Sequence, residues 1–337
     1  MATDDNRVFI TVDVECHELA KRNLYLEGKI GNDCWGLEKI LQIGKEKSVP
    51  INFFLDVVEC HAYGDDFVRE IVNKIHAYGQ KVYFHIHPNF IVPGGHHLFW
   101  QYSLEDQKKL LEQGIADYER LVGRKCKAMR TGGYCTDQNL YEALNAVTDG
   151  SILDVSHCKG YRYSRYDSPI NNGLHFNGKV PVLPNTRYLS FKFLGKKKYA
   201  NLDIASSQFN EMKRVLDYKE LPYLVCSMHS WNLFKQMFYI PWTMRPAKET
   251  CRKMRRFIDV ARQKGWLFSD FEEPLTETGT NVEIDLCQTP WHSFVGWVNT
   301  FIRMQGAART SKKYFYIYLV IYLVIIVLLA LIVVSML

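Results

Sequence analysis

The sequence lacks a large excess of charge of either sign. Its 42 Lys and Arg residues stand against 36 Asp and Glu residues, which gives a net charge of +6. Arg303, Arg309, Lys312 and Lys313 lie together just before a C-terminal apolar run, so the rest of the chain is nearly neutral. A general nucleic-acid-binding surface needs Lys and Arg spread over a patch or stripe. We therefore expect no nucleic-acid partner.

A cysteine framework is also missing. The nine cysteines are an odd number, include no CxxC pair and are scattered along the chain. Secreted disulfide-rich domains instead show an even set of cysteines at framework spacings. We therefore expect reduced and mostly buried thiols in a cytosolic compartment.

The two chain ends differ in composition. The first seven residues carry two acidic side chains, and the apolar stretch Val8–Val14 is too short for the core of a secretory signal. Charged residues are absent from Tyr314 to Leu337, and Phe315–Val334 is long enough for a transmembrane helix of about 20 residues. Together these features predict a single-pass C-terminal membrane anchor over 311–337, with the catalytic domain facing the cytosol.

A second apolar pattern precedes this run. Apolar side chains recur at spacings of three and four residues, which predicts an amphipathic helix; they are Trp291, Phe294, Val295, Val298, Phe301 and Ile302. This helix is expected either to pack on the domain or to lie in a membrane interface.

The body of the chain alternates strand-like runs with helical patterns. The predicted strands are Val8–Val14, Ile51–Val58, Lys81–His87, Cys126–Arg130, Ser151–Val155, Val180–Leu183, Tyr223–Met228 and Trp266–Phe271. Amphipathic helices are predicted over 66–78 and 104–122, each followed by glycine. The region 156–200 is expected to be a long loop excursion with one strand, and its three lysines 196–198 to be a solvated tip. This order favours a parallel α/β fold, either a barrel or a doubly wound sheet.

Polar side chains follow several of these strands, where parallel folds gather their loops. Asp13, Glu15 and His17 share one face of the first strand because side chains alternate with a period of two. His85 and His87 share a face in the same way. Three acidic and imidazole groups at a sheet mouth require a metal, a shared proton or water, and neutral imidazole is a common zinc ligand.

Two further strand ends carry reactive groups. Arg130 precedes Thr131-Gly132-Gly133-Tyr134, where Arg130 can hold a carboxylate ionised and the glycines can aim N–H groups at an oxyanion. His229 precedes Ser230-Trp231, which places an imidazole next to a flat apolar surface.

The ordered motifs TVDVE (11–15), INFFLDVVE (51–59), GQKVYFHIHPN (79–89), MRTGGY (129–134), SILDVSH (151–157) and CSMHSW (226–231) resemble those of the polysaccharide deacetylases, the NodB-homology carbohydrate esterases. The resemblance covers roughly residues 7–275. It implies a distorted (β/α)7-type barrel, followed here by the C-terminal transmembrane helix. The implied domains are a catalytic domain over 1–275, a linker with the amphipathic helix over 276–310, and the anchor over 311–337.

The resemblance also implies roles for individual residues. Asp13 corresponds to the catalytic base, Arg130 to the residue that orients it, and His229 to the acid that protonates the leaving amine. The metal ligands would be Glu15 and His85, with His87 or Asn89 in place of the family's second histidine. Gly133 or Tyr134 would donate the oxyanion N–H, and Trp231 would contact the substrate.

This chain departs from the family pattern at its first motif. The usual adjacent aspartate pair is replaced by Asp13-Val14-Glu15, so Glu15 is the metal ligand with Asp13 as base, or the two roles are exchanged. The implied cofactor is a divalent metal, with zinc expected first and cobalt or manganese as alternatives.

The predicted reaction is metal-assisted hydrolysis of an N-acetyl or N-formyl group on an amino sugar. The predicted partner is a lipid-linked or nascent glycan, or a glycolipid, at the membrane. Two alternatives stay open: a metal-independent hydrolase of a small C–N amide, and a degenerate glycan-binding protein.

Overall fold

A computed structural model describes residues 6–310 apart from 169, 171, 194, 238–239 and 277–280, together with 316–317, 319–324 and 326–327. The strands are β1 Arg7–Val14, β2 Lys29–Ile30, β3 Asp33–Cys34, β4 Asn52–Asp56, β5 Lys81–Ile86, β6 Ala128–Thr131, β7 Leu153–Asp154, β8 His175–Asn177, β9 Val180–Val182, β10 Arg187–Phe193, β11 Lys196–Asn201, β12 Tyr223–His229, β13 Phe234–Met237, β14 Ile240–Pro246, β15 Leu267–Phe268 and β16 Ile284–Asp285. The α-helices are α1 Leu37–Lys47, α2 Cys60–Tyr63, α3 Asp65–Ala77, α4 Leu104–Val122, α5 Gln138–Thr148, α6 Phe209–Val215, α7 Lys248–Gln263 and α8 Pro290–Thr310. Each of the predicted strand-like runs overlaps one of these strands.

The main sheet has the strand order β12-β1-β4-β5-β6-β7-β9-β8, with β15 also paired to β1. Its neighbours are parallel except for the antiparallel pair of β8 and β9. The hydrogen-bonded order of the described strands is a path with two ends and not a ring. The architecture is therefore a half-barrel, and the expected distorted (β/α)7-type barrel with a C-terminal transmembrane helix is wrong.

Irregular backbone lies between the two ends of this path. Thr186 donates its N–H to the carbonyl of Val225 in β12, and Ser227 donates to the carbonyl of Leu202 at 3.0 Å. The region 156–200, expected to be a loop excursion with one strand, instead contains β8, β9, β10 and most of β11, and irregular backbone in this region and just after it supplies these contacts to β12.

The helices follow from local sequence. The hydroxyl of Ser103 accepts a hydrogen bond from the N–H of Asp106 at 3.2 Å, which caps the start of α4. Gly123 ends the same helix in the left-handed region, at φ 78°. The interval 104–122 is the one predicted from the apolar stripe.

The central strands are buried on both faces, as expected for a parallel sheet covered by helices. In β1, Val8, Ile10, Val12 and Val14 are fully buried. This burial fits the position of β1 in the interior of the sheet, where the polar Thr11 is also buried and the acidic Asp13 lies near the carboxyl end of the strand.

The pairing register of the strands determines how far along the sheet each polar side chain lies. Asp13 in β1 pairs with His229 in β12. Asp56 in β4 pairs with His85 in β5, and His85 pairs with Arg130 in β6. These five side chains come from five strands and all lie near the carboxyl edge of the sheet, although Asp13 pairs with Phe54 and is therefore offset by two residues from Asp56.

The helix α8 contacts the domain through β10. Gly296 lies against the backbone of Ser190, and Arg303 forms an ion pair with the buried Glu211. The opposite face exposes large apolar side chains, including Trp291, Phe294 and Trp297. The helix does pack on the domain, but through Gly296 and Arg303, whereas Trp291, Phe294 and Ile302 of the predicted apolar stripe are exposed.

The expected membrane-spanning helix over 311–337 is not found. No helix in the described part of the chain is long and apolar enough to cross a membrane. A span needs about 20 consecutive residues, whereas the longest described helical piece of this segment is 319–324. Residues 311–315, 318, 325 and 328–337 lie outside the described residues. The single-pass anchor and the location inferred from it are corrected accordingly.

Candidate active site and metal centre

The site is built around an ion pair between two buried side chains. Arg130 Nη1 donates to Asp13 Oδ1 at 2.6 Å, and Arg130 is fully buried while Asp13 is 3% exposed. A buried pair of this kind needs further hydrogen bonds to offset the cost of removing both charges from water.

Arg130 has those further bonds. Its Nη2 donates to Thr11 Oγ1 at 3.0 Å and to Asn185 Oδ1 at 3.2 Å, and its Nε donates to the carbonyl of Val155 at 3.1 Å. The guanidinium also lies over the ring of Phe54, 4.3 Å from its centroid. Arg130 is thus fixed on several sides, and it fixes Asp13 in turn.

Beside this pair, imidazoles surround Glu15. His87 Nε2 lies 2.6 Å from Glu15 Oε2, and His85 Nε2 lies 3.5 Å from the same oxygen. His17 Nε2 is 3.5 Å from Glu15 Oε1. The ligand-type atoms of Glu15, His85 and His87 all lie within 4.8 Å of one another.

The protonation states suit metal binding. Burial opposes ionisation of Glu15, but its attraction to His87 and the hydrogen bonds from the imidazoles hold its pKa well below the usual value. Burial lowers the pKa of His87, and this effect exceeds the opposing attraction to Glu15. An ionised carboxylate and a neutral imidazole are the forms that metals bind.

Two more carboxyls lie behind this cluster. Burial raises the pKa of Asp56 well above the usual value, and repulsion from Glu59 and Glu15 adds to the rise. Burial likewise raises the pKa of Glu59, although Glu59 accepts a hydrogen bond from the N–H of Cys16. Burial thus disfavours the charged forms of Asp56 and Glu59, whereas the imidazoles favour the charged form of Glu15.

His229 faces the acidic pair from β12. Its Nε2 lies 3.9 Å from Asp13 Oδ2 and 3.7 Å from Glu15 Oε1, and its side chain is 32% exposed. The ring stacks on Trp231 with centroids 4.6 Å apart and planes 28° apart. Trp231 therefore orients the imidazole and forms part of the cleft wall.

The turn after β6 has unusual backbone geometry. Gly133 has φ 65° and Tyr134 has φ 54°, so both lie in the left-handed region. Tyr134 is buried, with Arg130 over its ring at 5.4 Å. A Cβ on Gly132 would collide with the imidazole of His87, so glycine is needed there for close packing on this ring.

The chemistry of the donor set fits a divalent metal. The Nδ1 atoms of His85 and His87 are buried without a hydrogen-bond partner in the described structure. One carboxylate with two imidazoles is a ligand set of catalytic zinc sites, in which a further position stays open to water or substrate. Glu15, His85 and His87 are the residues that would hold the ion.

The structure brings together most of the residues singled out by sequence. Asp13, Glu15, His85, His87, Arg130, His229 and Trp231 line one cleft, with Gly133 and Tyr134 in the adjoining turn. Asn89 is different: its Oδ1 is buried without a hydrogen-bond partner, and no contact with Glu15 is seen among the described residues.

Some residues of the site were not assigned a role from the sequence; they are His17, Asp56, Glu59 and Asn185. His17 shares the face of Asp13 and Glu15, so the period of two indicated its position, and the structure places its ring 5.3 Å from that of His87. Asp56 and Glu59 belong to the motif INFFLDVVE and follow a buried strand, which is the signal that could have identified them. Asn185 had no such signal because it lies in irregular backbone.

The sequence matches no family model and no curated protein. Solved structures are similar in fold. A protein of Mycobacterium smegmatis described as a candidate polysaccharide deacetylase aligns with a TM-score of 0.50 and 14% identity over 80% of this chain and 89% of that one. A family 4 carbohydrate esterase from Streptomyces lividans aligns with a TM-score of 0.40 and 13% identity over 83% and 98% of the two chains.

A CE4 family pseudoenzyme from Bacillus anthracis aligns with a TM-score of 0.42 and 12% identity over 78% of this chain. This chain spans only 63% of the length of that pseudoenzyme. The resemblance to polysaccharide deacetylases indicated by the sequence motifs is confirmed at the level of the fold, and the chain is a divergent example of that fold.

Proposed function

We propose that this protein is a metal-assisted deacetylase that hydrolyses an N-acetyl or N-formyl group on an amino sugar of a glycan. One observation carries the proposal: the buried Asp13–Arg130 pair, the Glu15, His85 and His87 cluster, and His229 meet at one edge of the sheet. A restriction to lipid-linked substrates depends on a membrane anchor, which none of the described helices provides, and it is not retained.

Asp13 is assigned as the general base. Its Oδ1 is held by Arg130 at 2.6 Å, whereas its Oδ2 is the oxygen that faces His229. The 3.9 Å separation between Oδ2 and His229 Nε2 is too long for a hydrogen bond, so the two groups are not tied to each other. Oδ2 can therefore take a proton from a water in the cleft.

Glu15, His85 and His87 are assigned as the metal ligands, and the exchange of roles between Asp13 and Glu15 is not favoured. Two imidazoles approach Glu15 Oε2, while Arg130 occupies Asp13. A divalent cation bound there would polarise the acyl carbonyl and lower the pKa of water.

His229 is assigned as the general acid. Its partly exposed ring can exchange protons with solvent, and its stacking on Trp231 fixes the direction of Nε2. A protonated imidazole at this position can donate to the nitrogen of the departing amine. The flat face of Trp231 is suited to contact a sugar ring.

The test measures acetate and formate release from N-acetylated and N-formylated amino-sugar oligomers by the full chain, alongside zinc, cobalt and manganese content. We expect hydrolysis by the parent protein, loss of hydrolysis in Asp13→Asn and His229→Ala, and loss of bound metal in Glu15→Gln. Asp66→Asn and His76→Ala serve as matched controls because both residues are exposed on α3.

The controls should keep activity and metal content. Hydrolysis that survives in both Asp13→Asn and His229→Ala would contradict the assigned roles. A gently purified protein that carries no divalent metal, and that does not respond to added zinc, cobalt or manganese, would contradict metal assistance.

A further inference from the structure

A separate cavity of about 350 Å³ lies next to the irregular segment after β7. Its lining is polar and basic, and the residues are Lys159, Gly160, Asn172, Arg187, Lys197, Lys198, Tyr199, Glu283 and Ile284. The volume is within the range of small-ligand pockets. None of these residues has a role in the proposed hydrolysis.

The charges of this basic cavity are unbalanced. Four cationic side chains line it against one carboxylate. That carboxylate, Glu283, is shared, because it accepts a hydrogen bond from Tyr199 and lies 3.6 Å from Lys197. Among the described residues, Lys159, Arg187 and Lys198 form no ion pair with a carboxylate. An anion bound in the cavity would balance these positive charges.

Arg187 has a hydrogen-bond donor that an anion in the cavity could use. Its Nε is buried and has no hydrogen-bond acceptor in the described structure. Its backbone is fixed by Asn172, which accepts from the N–H of Arg187 at 2.8 Å and donates to its carbonyl at 3.0 Å. Asn172 is itself 2% exposed. Arg187 as a whole is only partly buried, but a buried N–H donor such as its Nε costs stability unless a ligand accepts from it.

One residue of the basic cavity lies near the proposed catalytic site along the backbone. Asn185 accepts a hydrogen bond from Arg130, and Arg187 is two residues further along the chain. Consecutive Cα atoms are about 3.8 Å apart, so the Cα atoms of Asn185 and Arg187 lie within about 8 Å. Lys159 and Arg187 also follow the carboxyl ends of β7 and β9, at the edge of the sheet that carries Asp13.

We propose that the basic cavity binds a phosphoryl group carried by the amino-sugar substrate. This inference rests on the proposed function, and it narrows the substrate class to phosphorylated amino sugars. Three cations without a carboxylate partner suit the two charges of a phosphate or a diphosphate better than the single charge of a carboxylate.

Two measurements test this inference. Calorimetric titration of the full chain with inorganic pyrophosphate in phosphate-free, low-salt buffer should detect binding. Arg187→Gln should weaken that binding about 10- to 100-fold, and the exposed change Lys198→Gln should weaken it several-fold. Lys196→Gln is the matched control, because it removes a neighbouring charge that does not line the cavity, and it should leave binding unchanged.

The second measurement compares kcat/KM for N-acetylglucosamine 1-phosphate and for N-acetylglucosamine. The parent protein should prefer the phosphorylated sugar at least tenfold. In Arg187→Gln the ratio should fall to about one, because kcat/KM for the phosphorylated sugar falls at least tenfold.

Absence of pyrophosphate binding, or equal binding by Lys196→Gln, Lys198→Gln and Arg187→Gln, would overturn the inference. Pyrophosphate binding with a substrate ratio of one in the parent protein would overturn the assignment to the substrate and leave free phosphate as the occupant. If neither sugar is hydrolysed, the proposed function fails, whereas calorimetry still decides whether the cavity binds phosphate.

Discussion

Replacing Arg130 by methionine tests how the catalytic pair is held. The guanidinium makes four hydrogen bonds, at 2.6, 3.0, 3.1 and 3.2 Å, and none of its surface is exposed. Removal of one partner of a buried ion pair costs about 3–5 kcal/mol because the other charge is left without compensation. We expect the free energy of unfolding of Arg130→Met to fall by that amount near pH 7.

The Asp13→Asn variant should lose less, about 1–3 kcal/mol. Arg130 keeps its bonds to Thr11, Asn185 and the carbonyl of Val155 in that variant. The double variant should lose less unfolding free energy than the sum of the two single losses, because it contains neither of the two buried charges.

Urea unfolding of the parent protein and the three variants, followed by circular dichroism at 10 °C, gives the coupling energy. A value above about 1 kcal/mol supports the pair as described. Additive losses would refute the reasoning, since they would mean that Asp13 is stabilised as well without Arg130 as with it.

Further predictions concern the metal cluster and a buried histidine. Gly132→Ala should displace the His87 ring and weaken zinc binding about 10- to 100-fold in competition with a chromophoric chelator; unchanged affinity would show that the ring can move without loss. Asn89→Ala should leave zinc affinity nearly unchanged in the same assay, and a tenfold loss would restore Asn89 as a ligand. Burial, with repulsion from His175, Lys159 and Arg187, lowers the pKa of His157 to about 3. In the unfolded chain this group titrates near pH 6.5, so between about pH 6.5 and 3 only the unfolded chain binds the proton. Stability should therefore fall as the pH drops through that window, by about 1.4 kcal/mol per unit, and urea unfolding of His157→Gln at pH 7, 5.5 and 4.5 should show a smaller fall; equal falls would contradict this.

The positions of the strands and of the polar groups on them could be predicted from the sequence, because both depend on short-range periodicity. Asp13 and Glu15 share a face by the period of two, and so do His85 and His87. The register that brings His85 level with Arg130 is a property of strand pairing, and one sequence contains no measure of it. The site was therefore predicted as a set of residues and not as a geometry.

Contacts from irregular backbone could not be predicted. Asn185 reaches Arg130 from the excursion after β7, where no repeating pattern exists to indicate a direction. Lys197 and Lys198 are exposed as a solvated tip would be, yet they also line the basic cavity. The prediction of a membrane-spanning helix was wrong for a different reason, because it relied on the apolar composition of the segment alone.

The substitution of Asn89 for a family histidine does not leave the cluster short of ligands. His85 and His87 are two residues apart on one strand edge, and their ring centroids lie 5.1 Å apart. A strand rises about 3.3 Å per residue, so this spacing is set by the strand itself and does not depend on a loop. Glu15, which follows Asp13 by two residues, then reaches between the two rings from β1. The proposed ligand set therefore has three ligand-type atoms within 4.8 Å of one another, from Glu15, His85 and His87, without a contribution from Asn89.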